Sequence, residues 1–235
     1  MSKPLVGIVI PAFNESSSIQ QVLSNLPNSI NNYGCQIIVV NDGSTDNTAD
    51  IVTQYKNIIL INHLLNSGAG AATRTGLDYA RQLGCEFVAT MDSDGQHDIN
   101  DVIKLFNYAF NHPAVDLIIG SRLINSKGMP WYRVLGNKGL SFFTFLVFGI
   151  FVTDSQSGLK VFNKKALVSI KFYSNNYAFC SEILWQAHKK QFKIKELPIK
   201  AIYSEYSKSK GQSNWNGFNI VRQMLKRRLL DIING

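Results

Sequence analysis

Short runs of apolar and β-branched residues alternate with segments of helical periodicity through the first half of the chain, and this alternation constrains the fold most. The segments with helical periodicity lie at residues 16–26, 46–55, 71–83 and 99–110. The runs predicted as buried strands lie at residues 6–10, 36–40, 58–62, 87–91 and 117–119. Parallel strands need crossover connections of this kind, so we predict an α/β fold with a Rossmann-like, mostly parallel sheet flanked by helices on both faces.

Polar residues follow three of the predicted strands at the point where each strand ends. Residues 11–15 follow the first strand, residues 41–46 the second and residues 92–97 the fourth. Each cluster alone is also typical of a turn or a helix cap. Open α/β sheets bind ligands outside the carboxyl ends of their strands, so three clusters at one edge predict a binding site there.

The second half of the chain is less regular. Its predicted elements are a short strand that ends at Phe162, a helix at residues 181–190, a strand pair at residues 194–203 and a final helix at residues 215–233. The final helix is basic and amphipathic, and its apolar stripe holds Phe218, Val221, Leu225, Leu229 and Ile232. Such a helix either packs its stripe on the domain or lies on an anionic membrane surface. We therefore predict a catalytic domain at residues 1–205 and an appendage, a flexible loop and this helix, at residues 206–235.

Charge is distributed unevenly between the two parts of the chain. Residues 1–100 carry four Lys and Arg against nine Asp and Glu, a net −5, and the remainder carries twenty against seven, a net +13. Acidic lipid head groups and phosphorylated acceptors are partners that fit such an excess. The basic residues are dispersed among apolar ones without an aromatic stacking platform, so we do not expect nucleic acid as a partner.

Membrane insertion and secretion have no signal in this sequence. The longest apolar stretch covers thirteen residues, 140–152, whereas a spanning helix needs ~20. The apolar run before Pro11 is too short for a signal peptide, and the three cysteines form no Cys-x-x-Cys pair. We therefore expect a cytoplasmic protein with no membrane span of its own.

Two aspartates after the fourth predicted strand indicate a metal site. Asp92 and Asp94 stand one residue apart, and in a turn both carboxylates reach one divalent cation. Oxygen ligands suit Mg²⁺ or Mn²⁺, which would bridge two phosphates of a nucleotide, and Gln96 would add a neutral oxygen. An EF-hand loop that begins at Asp92 needs Glu at its twelfth position, where Ile103 stands. A haloacid-dehalogenase-type phosphohydrolase motif would continue with Thr after the first strand, so it fits poorly too.

Six motifs occur in an order that resembles family 2 glycosyltransferases of the GT-A fold, and more closely the branch like dolichol-phosphate mannose synthase. They lie at residues 11–15, 41–48, 66–76, 91–97, 120–122 and 154–162. The resemblance implies a metal-dependent, inverting glycosyltransferase. It would move a hexose from a donor of the GDP-mannose or UDP-glucose type to a polyprenyl or dolichyl phosphate. The implied cofactor is Mg²⁺ or Mn²⁺ at Asp92, Asp94 and Gln96.

The same resemblance implies which residues bind the nucleotide-sugar. The first two polar clusters would surround the nucleobase and ribose, and the small residues that open the third helix would leave free N–H groups near the diphosphate. A loop before the final helix would close over the nucleotide. The implied residues are Pro11, Ala12, Phe13, Glu15, Asp42, Asn66, Gly70, Arg74, Asp92, Ser93, Asp94 and Lys210.

For the acceptor, the resemblance points to Arg122 and Arg133, with Lys138 as a weaker candidate. Guanidinium groups present paired donors to phosphate oxygens. Asp154 is the first candidate for a base or a sugar-orienting carboxylate, and Glu182 is the second. A phosphate acceptor is already an anion at neutral pH, whereas a hydroxyl acceptor needs a positioned base.

Two hypotheses remain beside the leading one. In the first, a family 2 glycosyltransferase acts on a sugar hydroxyl of a surface polysaccharide or glycan, with Asp154 as base. In the second, the protein binds nucleotides without catalysis, against which the intact Asp92, Asp94 and Gln96 argue. In the leading hypothesis the enzyme associates peripherally with the cytoplasmic face of a membrane. Relatives of the branch often carry transmembrane helices, so we expect either a soluble form of the enzyme or a separate integral-membrane partner.

Overall fold

A single mixed sheet of eight strands forms the centre of the computed structural model, which describes residues 3–202 and 214–234. In spatial order the strands run β2-β3-β1-β5-β7-β6-β8, and β4 pairs with β3. Their bounds are β1 (Leu5–Ala12), β2 (Ser29–Ile30), β3 (Tyr33–Asn41), β4 (Ile58–Asn62), β5 (Phe87–Thr90), β6 (Leu117–Ser121), β7 (Lys160–Asn163) and β8 (Ile194–Pro198).

Most strand pairs are parallel, as the alternation predicts. Strand β1 pairs in parallel with β3 and β5, β3 with β4, and β6 with β8. Strand β7 lies between β5 and β6 and is antiparallel to both. Because it is antiparallel, β7 begins at the sheet edge where the three polar clusters lie, so the turn before β7 lies beside them.

Helices cover both faces of the sheet, and the side chains of each strand alternate between the two cores. Val9 and Val40 pack in one core, whereas Ile8, Ile10 and Val39 pack in the other. The helices are α1 (Ile19–Ser24), α2 (Thr48–Thr53), α3 (Ala69–Gln82), α4 (Ile99–Asn111), α5 (Trp131–Phe148), α6 (Lys164–Ser169), α7 (Phe179–Lys189) and α8 (Asn214–Asn234). The prediction of a mostly parallel sheet with helices on both faces is confirmed.

The irregular second half differs from the prediction in two places. Residues 131–148 form helix α5, which overlaps the apolar stretch at residues 140–152 and which the sequence did not predict. The predicted strand pair at 194–203 is wrong for the residues that the structure describes. Strand β8 pairs with β6, and beyond it Ala201 forms one isolated bridge with His97. None of the described helices is long and apolar enough to cross a membrane.

Helix α8 presents most of its predicted apolar stripe to the outside. Phe218, Leu225 and Leu229 are exposed, whereas Val221 is partly buried and packs against the core, as do Ile220 and Met224 beside the stripe. Among the described side chains of the stripe, the first alternative, packing on the domain, therefore holds only for Val221.

Candidate active site

A cleft of about 1030 Å³ opens at the carboxyl ends of β1, β3 and β5. All three polar clusters contribute to it, together with α5, α8 and the turn before β7. Its carboxylates, Glu15, Asp42, Asp92 and Asp94, form what we call the acidic edge. The other predicted site residues that line the cleft are Pro11, Ala12, Phe13, Asn66, Ser93, Gln96, Arg122 and Arg133. Lys210 and the predicted loop around it lie outside the described residues.

The first two clusters hold each other in place. The Asn14 N–H donates to Ser44 Oγ at 2.9 Å, and the Thr45 N–H donates to Asn14 Oδ1 at 2.8 Å. Asn14 has a φ of 53°, a left-handed conformation that Asn tolerates better than most residues. Ser18 Oγ donates to Glu15 Oε2 at 2.6 Å, which fixes that carboxylate. This side of the cleft is therefore ordered by the protein itself.

Asp42 is buried and holds the segment that leads into α3. Its carboxylate accepts hydrogen bonds from the N–H groups of Ser67 at 3.0 Å and Gly68 at 2.7 Å. His63 Nδ1 lies 2.7 Å from Asp42 Oδ1, and His63 Nε2 lies 3.0 Å from Thr75 Oγ1. His63 is not among the predicted site residues, although a lone polar ring directly after a predicted strand is a signal of a positioned side chain.

The start of α3 packs against residues 174–176 instead of leaving its N–H groups free. The Gly70 N–H donates to the Asn175 carbonyl at 2.7 Å, and a Cβ at position 70 would collide with backbone oxygen atoms there. Arg74 donates to the Phe172 carbonyl at 3.3 Å and to Asn175 Oδ1 at 3.1 Å, beside a second cavity of about 150 Å³. The expectation of free N–H groups at Gly68 and Gly70 is corrected, because both are used inside the protein.

Asp92 and Asp94 lie together at the end of β5. His97 Nε2 lies 3.1 Å from Asp92 Oδ2, and the Gln96 N–H and amide both donate to Asp94. Burial and the neighbouring Asp92 charge raise the pKa of Asp94 to about 6. Burial opposes ionisation of Asp92 too, but the hydrogen bond and charge of His97, together with the charges of Arg122 and Lys160, lower the pKa of Asp92. Such a pair of carboxylates favours a bound cation, which would relieve the repulsion between them.

The donor set matches a metal that is shared with a substrate. Within the described residues, no group of three or more His, Cys, Asp and Glu side chains is arranged to hold an ion. Mg²⁺ needs no such cage, since it keeps several waters and binds through one or two carboxylates plus substrate phosphates. Asp92 and Asp94, with the Gln96 amide beside them, supply that set.

Gly158 fits directly beneath the Asp92 carboxylate. A Cβ at this position would overlap both oxygens of Asp92, so only glycine allows the turn to approach so closely. Thr90 Oγ1 donates to the Gly158 carbonyl at 2.7 Å, which ties the turn to β5. The turn at residues 154–158 is thus part of the support for the acidic edge.

Arg122 and Asp154 form a buried ion pair at one end of the cleft. Arg122 Nε donates to Asp154 Oδ2 at 2.7 Å, Arg122 Nη2 donates to Oδ1 at 2.9 Å, and the Arg122 N–H also donates to Oδ2, at 3.1 Å. Asp154 is fully buried, and although burial opposes its ionisation, the charge of Arg122 lowers the pKa of the carboxyl. Asp154 therefore orients Arg122, which lines the cleft.

Tyr177 belongs to the lining of the cleft, and Glu182 supports the segment that carries it. Glu182 is buried and accepts hydrogen bonds from the N–H groups of Tyr173 at 3.0 Å and Ser174 at 2.8 Å, so it shapes the backbone before α7. Tyr177 lines the cleft, and burial followed by the negative charges of Asp92 and Asp94 raises its pKa to about 12. It is a neutral hydroxyl that faces an anionic site, and the sequence analysis missed it.

An apolar surface extends from the mouth of the cleft along α5 and α8. At 100° per residue, its exposed α5 side chains fall within one half of the helix circumference, opposite the buried Leu140 and Thr144. Tyr132, Phe143 and Phe218 belong both to this surface and to the cleft. We call it the apolar wall, and it consists of Trp131, Tyr132, Leu135, Phe142, Phe143, Phe145, Leu146, Phe218, Leu225 and Leu229.

The sequence of this chain is similar to those of known glycosyltransferases. A family model described as Glycosyl transferase family 2 matches residues 7–170. The UDP-N-acetylglucosamine–dolichyl-phosphate N-acetylglucosaminyltransferase of Methanococcus voltae is 39% identical to this chain. The alignment is 255 residues long and covers 100% of both chains. The polyprenol monophosphomannose synthase of Mycolicibacterium smegmatis is 25% identical over 233 residues, 93% of this chain and 84% of the relative.

A solved structure shows the same fold. It is glucosyl-3-phosphoglycerate synthase from Mycobacterium tuberculosis in complex with Mn²⁺, uridine diphosphate and glucosyl-3-phosphoglycerate. The TM-score is 0.72 at 16% identity, over 97% of this chain and 79% of that chain. At this identity the likeness concerns the fold alone.

Proposed function

The chain belongs to glycosyl transferase family 2 and has the GT-A fold, and we propose that it transfers a sugar from a nucleotide diphosphate sugar to a polyprenyl phosphate. The observation that carries this proposal is a single cleft that joins the acidic edge to Arg122 and Arg133. One end suits a metal with a diphosphate, and the other suits a second anion. The relatives named for dolichyl-phosphate and polyprenol substrates support the same acceptor class.

On the donor side, Asp92 and Asp94 would hold Mg²⁺ or Mn²⁺, with Gln96 beside them. A bound metal would offset the charge that develops on the leaving diphosphate. Pro11, Ala12, Phe13 and Glu15, together with Asp42 and Asn66, line the part of the cleft proposed for the nucleobase and ribose. Arg74 would act by holding residues 172–175 rather than by direct contact with the donor.

On the acceptor side, the buried pair favours a phosphate over a hydroxyl. A carboxylate that already accepts two hydrogen bonds from a guanidinium group is a poor base, and a hydroxyl acceptor needs a base. A phosphate monoester is ionised at neutral pH and needs only to be positioned. Arg122, oriented by Asp154, and Arg133 would bind it and direct one oxygen to the anomeric carbon, with inversion there.

The apolar wall supports a peripheral position on a membrane. Exposed aromatic and aliphatic side chains of this kind mark interaction surfaces. The exposed cations Lys138, Arg222 and Lys226 lie on or beside the wall, which suits an anionic lipid surface. The cytoplasmic face is proposed because nucleotide-sugars would reach the cleft from that side. An integral-membrane partner would be needed only if the wall does not contact lipid directly.

A panel of labelled donors tests the proposal. UDP-N-acetylglucosamine, UDP-glucose and GDP-mannose are each incubated with the protein, polyprenyl phosphate and Mn²⁺ or Mg²⁺, and the label in the lipid fraction is counted. We expect one donor to label the lipid, with loss of the label when the metal is chelated. Matched reactions contain polyprenol or an oligosaccharide in place of the lipid phosphate. Label in the oligosaccharide and none in the lipid phosphate would overturn the acceptor assignment.

Arg133→Ala gives the test at the residue level. It should raise the KM for polyprenyl phosphate about tenfold, because one charge-assisted pair to phosphate is lost, and leave the donor KM within twofold. Lys164→Ala, at an exposed position on α6, is the matched control and should change neither. A change in the donor KM alone would contradict the acceptor role of Arg133.

A further inference from the structure

Lys160, the first residue of β7, is a lysine buried in the middle of the sheet. Its exposed fraction is 1%, and its strand neighbours are Thr90 of β5 and Ile119 of β6. The ammonium group donates to the Ser157 carbonyl. Among the residues that the structure describes, no carboxylate forms an ion pair with it. Burial of an ammonium group without a carboxylate partner lowers the stability of a folded protein. A lysine kept at such a position therefore indicates a functional role.

The position of Lys160 places its charge under the cleft. The Ser157 carbonyl that it binds immediately precedes Gly158, which packs beneath the Asp92 carboxylate. Burial raises the pKa of Asp92 and of Asp154, and the charge of Lys160 is one of those that lower it, after the larger contributions of His97 and Arg122 at Asp92 and of Arg122 at Asp154. It therefore acts at the acidic edge without lining the cleft.

Lys160 and the acidic edge carry charges of opposite sign. The acidic edge holds the four carboxylates of the cleft, and the cation Arg122 is paired with Asp154. A divalent cation alone is attracted by the acidic edge and repelled by Lys160. A metal that carries a nucleoside diphosphate brings negative charge, which Lys160 attracts.

We propose that Lys160 is a positioning residue whose fixed charge, held beneath the acidic edge, favours the metal–diphosphate complex over the bare metal ion. This inference rests on the proposed function for the identity of the ligand. It adds a selectivity that neither Asp92 nor Asp94 can provide, since carboxylates attract both forms of the metal. The same charge stabilises the diphosphate more strongly as the sugar departs, because the diphosphate then carries more negative charge.

Two binding constants of Lys160→Met test the inference, because methionine keeps most of the volume and removes the charge. Binding of Mn²⁺ alone is measured by the electron paramagnetic resonance signal of the free ion. Binding of UDP and of GDP in saturating Mn²⁺ is measured by calorimetry. We expect Mn²⁺ alone to bind about threefold or more tightly, and the nucleoside diphosphate that binds the unmodified protein to bind about threefold or more weakly.

The two affinities should change in opposite directions, which distinguishes a charge effect of Lys160 from a structural one. Damage to the turn at residues 154–158 would weaken the binding of Mn²⁺ and of the nucleoside diphosphate together. Either that result or unchanged binding of both ligands would overturn the inference. Lys164→Met, at an exposed position on α6, is the matched control and should leave both constants unchanged. If Lys160→Met does not fold, Lys160→Gln is measured in the same way and decides.

Lys160→Arg provides the rescue. It keeps the charge, so both constants should return toward those of the unmodified protein, and a variant indistinguishable from Lys160→Met would contradict a charge effect. Both measurements are independent of the acceptor. If the opposite shifts occur and no sugar reaches polyprenyl phosphate, the inference on Lys160 stands and the acceptor assignment fails.

Discussion

The acidic edge and the apolar wall both contribute to one cleft, and they are built in opposite ways. Each carboxylate of the acidic edge is held by hydrogen bonds from the protein, as Asp42 is by Ser67 and Gly68. The side chains of the apolar wall are exposed, with Trp131 at 77% and Leu135 at 65%. The acidic edge is organised before any ligand arrives, whereas the apolar wall exposes area that the described part of the chain does not cover. The proposed donor side is therefore ordered by the fold, whereas the apolar wall needs a partner to bury it.

Removal of one proposed metal ligand from the acidic edge should lower activity more than any other change to either surface. Asp94→Asn keeps the shape and the hydrogen bond from Gln96 but removes a charged oxygen from the proposed metal site. We expect kcat/KM to fall by about 10³-fold, the size of a lost electrostatic contact in a transition state. Initial rates over a range of Mn²⁺ concentrations measure this loss. Asp78→Asn, on the exposed side of α3, is the control, and a rate above a tenth of normal for Asp94→Asn would contradict the metal role.

Gly158→Ala tests whether the acidic edge is held from below. The added methyl group would overlap the Asp92 carboxylate, so that side chain must move. We expect kcat to fall about 100-fold, because a displacement of about 1 Å in a positioned group has effects of that size. Gly34→Ala is the control, since its added Cβ would meet only Leu5 Cδ1, at 3.4 Å. Equal rates for the two variants would show that Asp92 does not need this support.

The acidic edge could be predicted from the sequence, whereas the helix that carries most of the apolar wall could not. Strands β1, β3, β4, β5 and β6 are predicted because buried strands need continuous β-branched runs, and the acidic edge follows from their carboxyl ends. Helix α5 escapes prediction because its buried side includes Ser141 and Thr144 while Phe142 and Phe143 face outward. A helix that keeps polar groups inside and aromatic groups outside does not show the usual amphipathic pattern.

Within the site, residue types are predictable and their partners are not. Asp92 and Asp94 are recognisable because only one residue stands between them in the sequence, whereas Arg122 and Asp154 lie 32 positions apart. Nothing in the spacing shows that this arginine and this carboxylate bind each other, so the sequence left Asp154 as a candidate base or sugar-orienting carboxylate. Lys160 had a readable signal, a single cation inside the apolar run from Leu159 to Phe162. A lysine within a buried strand is rare enough to mark a special environment.

Polar substitutions in the apolar wall should affect only reactions at a lipid surface. The double variant Leu135→Ser and Phe142→Ser should lower binding to anionic vesicles, and turnover of vesicle-embedded polyprenyl phosphate, about tenfold. Each side chain contributes up to roughly 1.5–3 kcal/mol when fully buried, and insertion at a membrane surface is partial. Vesicle sedimentation and lipid labelling measure the two effects.

The control for the apolar wall is Val168→Ser, an exposed apolar residue on α6, which should leave vesicle binding unchanged. A second control is a short-chain polyprenyl phosphate in detergent, with which the double variant should react at a normal rate. Loss of activity with both acceptors would mean that α5 itself is damaged. Normal vesicle binding by the double variant would remove the apolar wall from the lipid contact.

His63→Gln should have the smallest effect, because the acidic edge is held by more bonds than it needs. The substitution removes the imidazole between Asp42 and Thr75, yet Asp42 keeps its hydrogen bonds from Ser67 and Gly68. One hydrogen bond contributes about 1 kcal/mol, so the donor KM should rise about fivefold, and kcat should stay within twofold. Steady-state rates at saturating acceptor separate the two constants, and His112→Gln, at an exposed position after α4, serves as the control. A fall in kcat larger than the rise in KM would place His63 in the chemistry rather than in the support of Asp42, and the donor half would then be less rigid than its hydrogen bonds indicate.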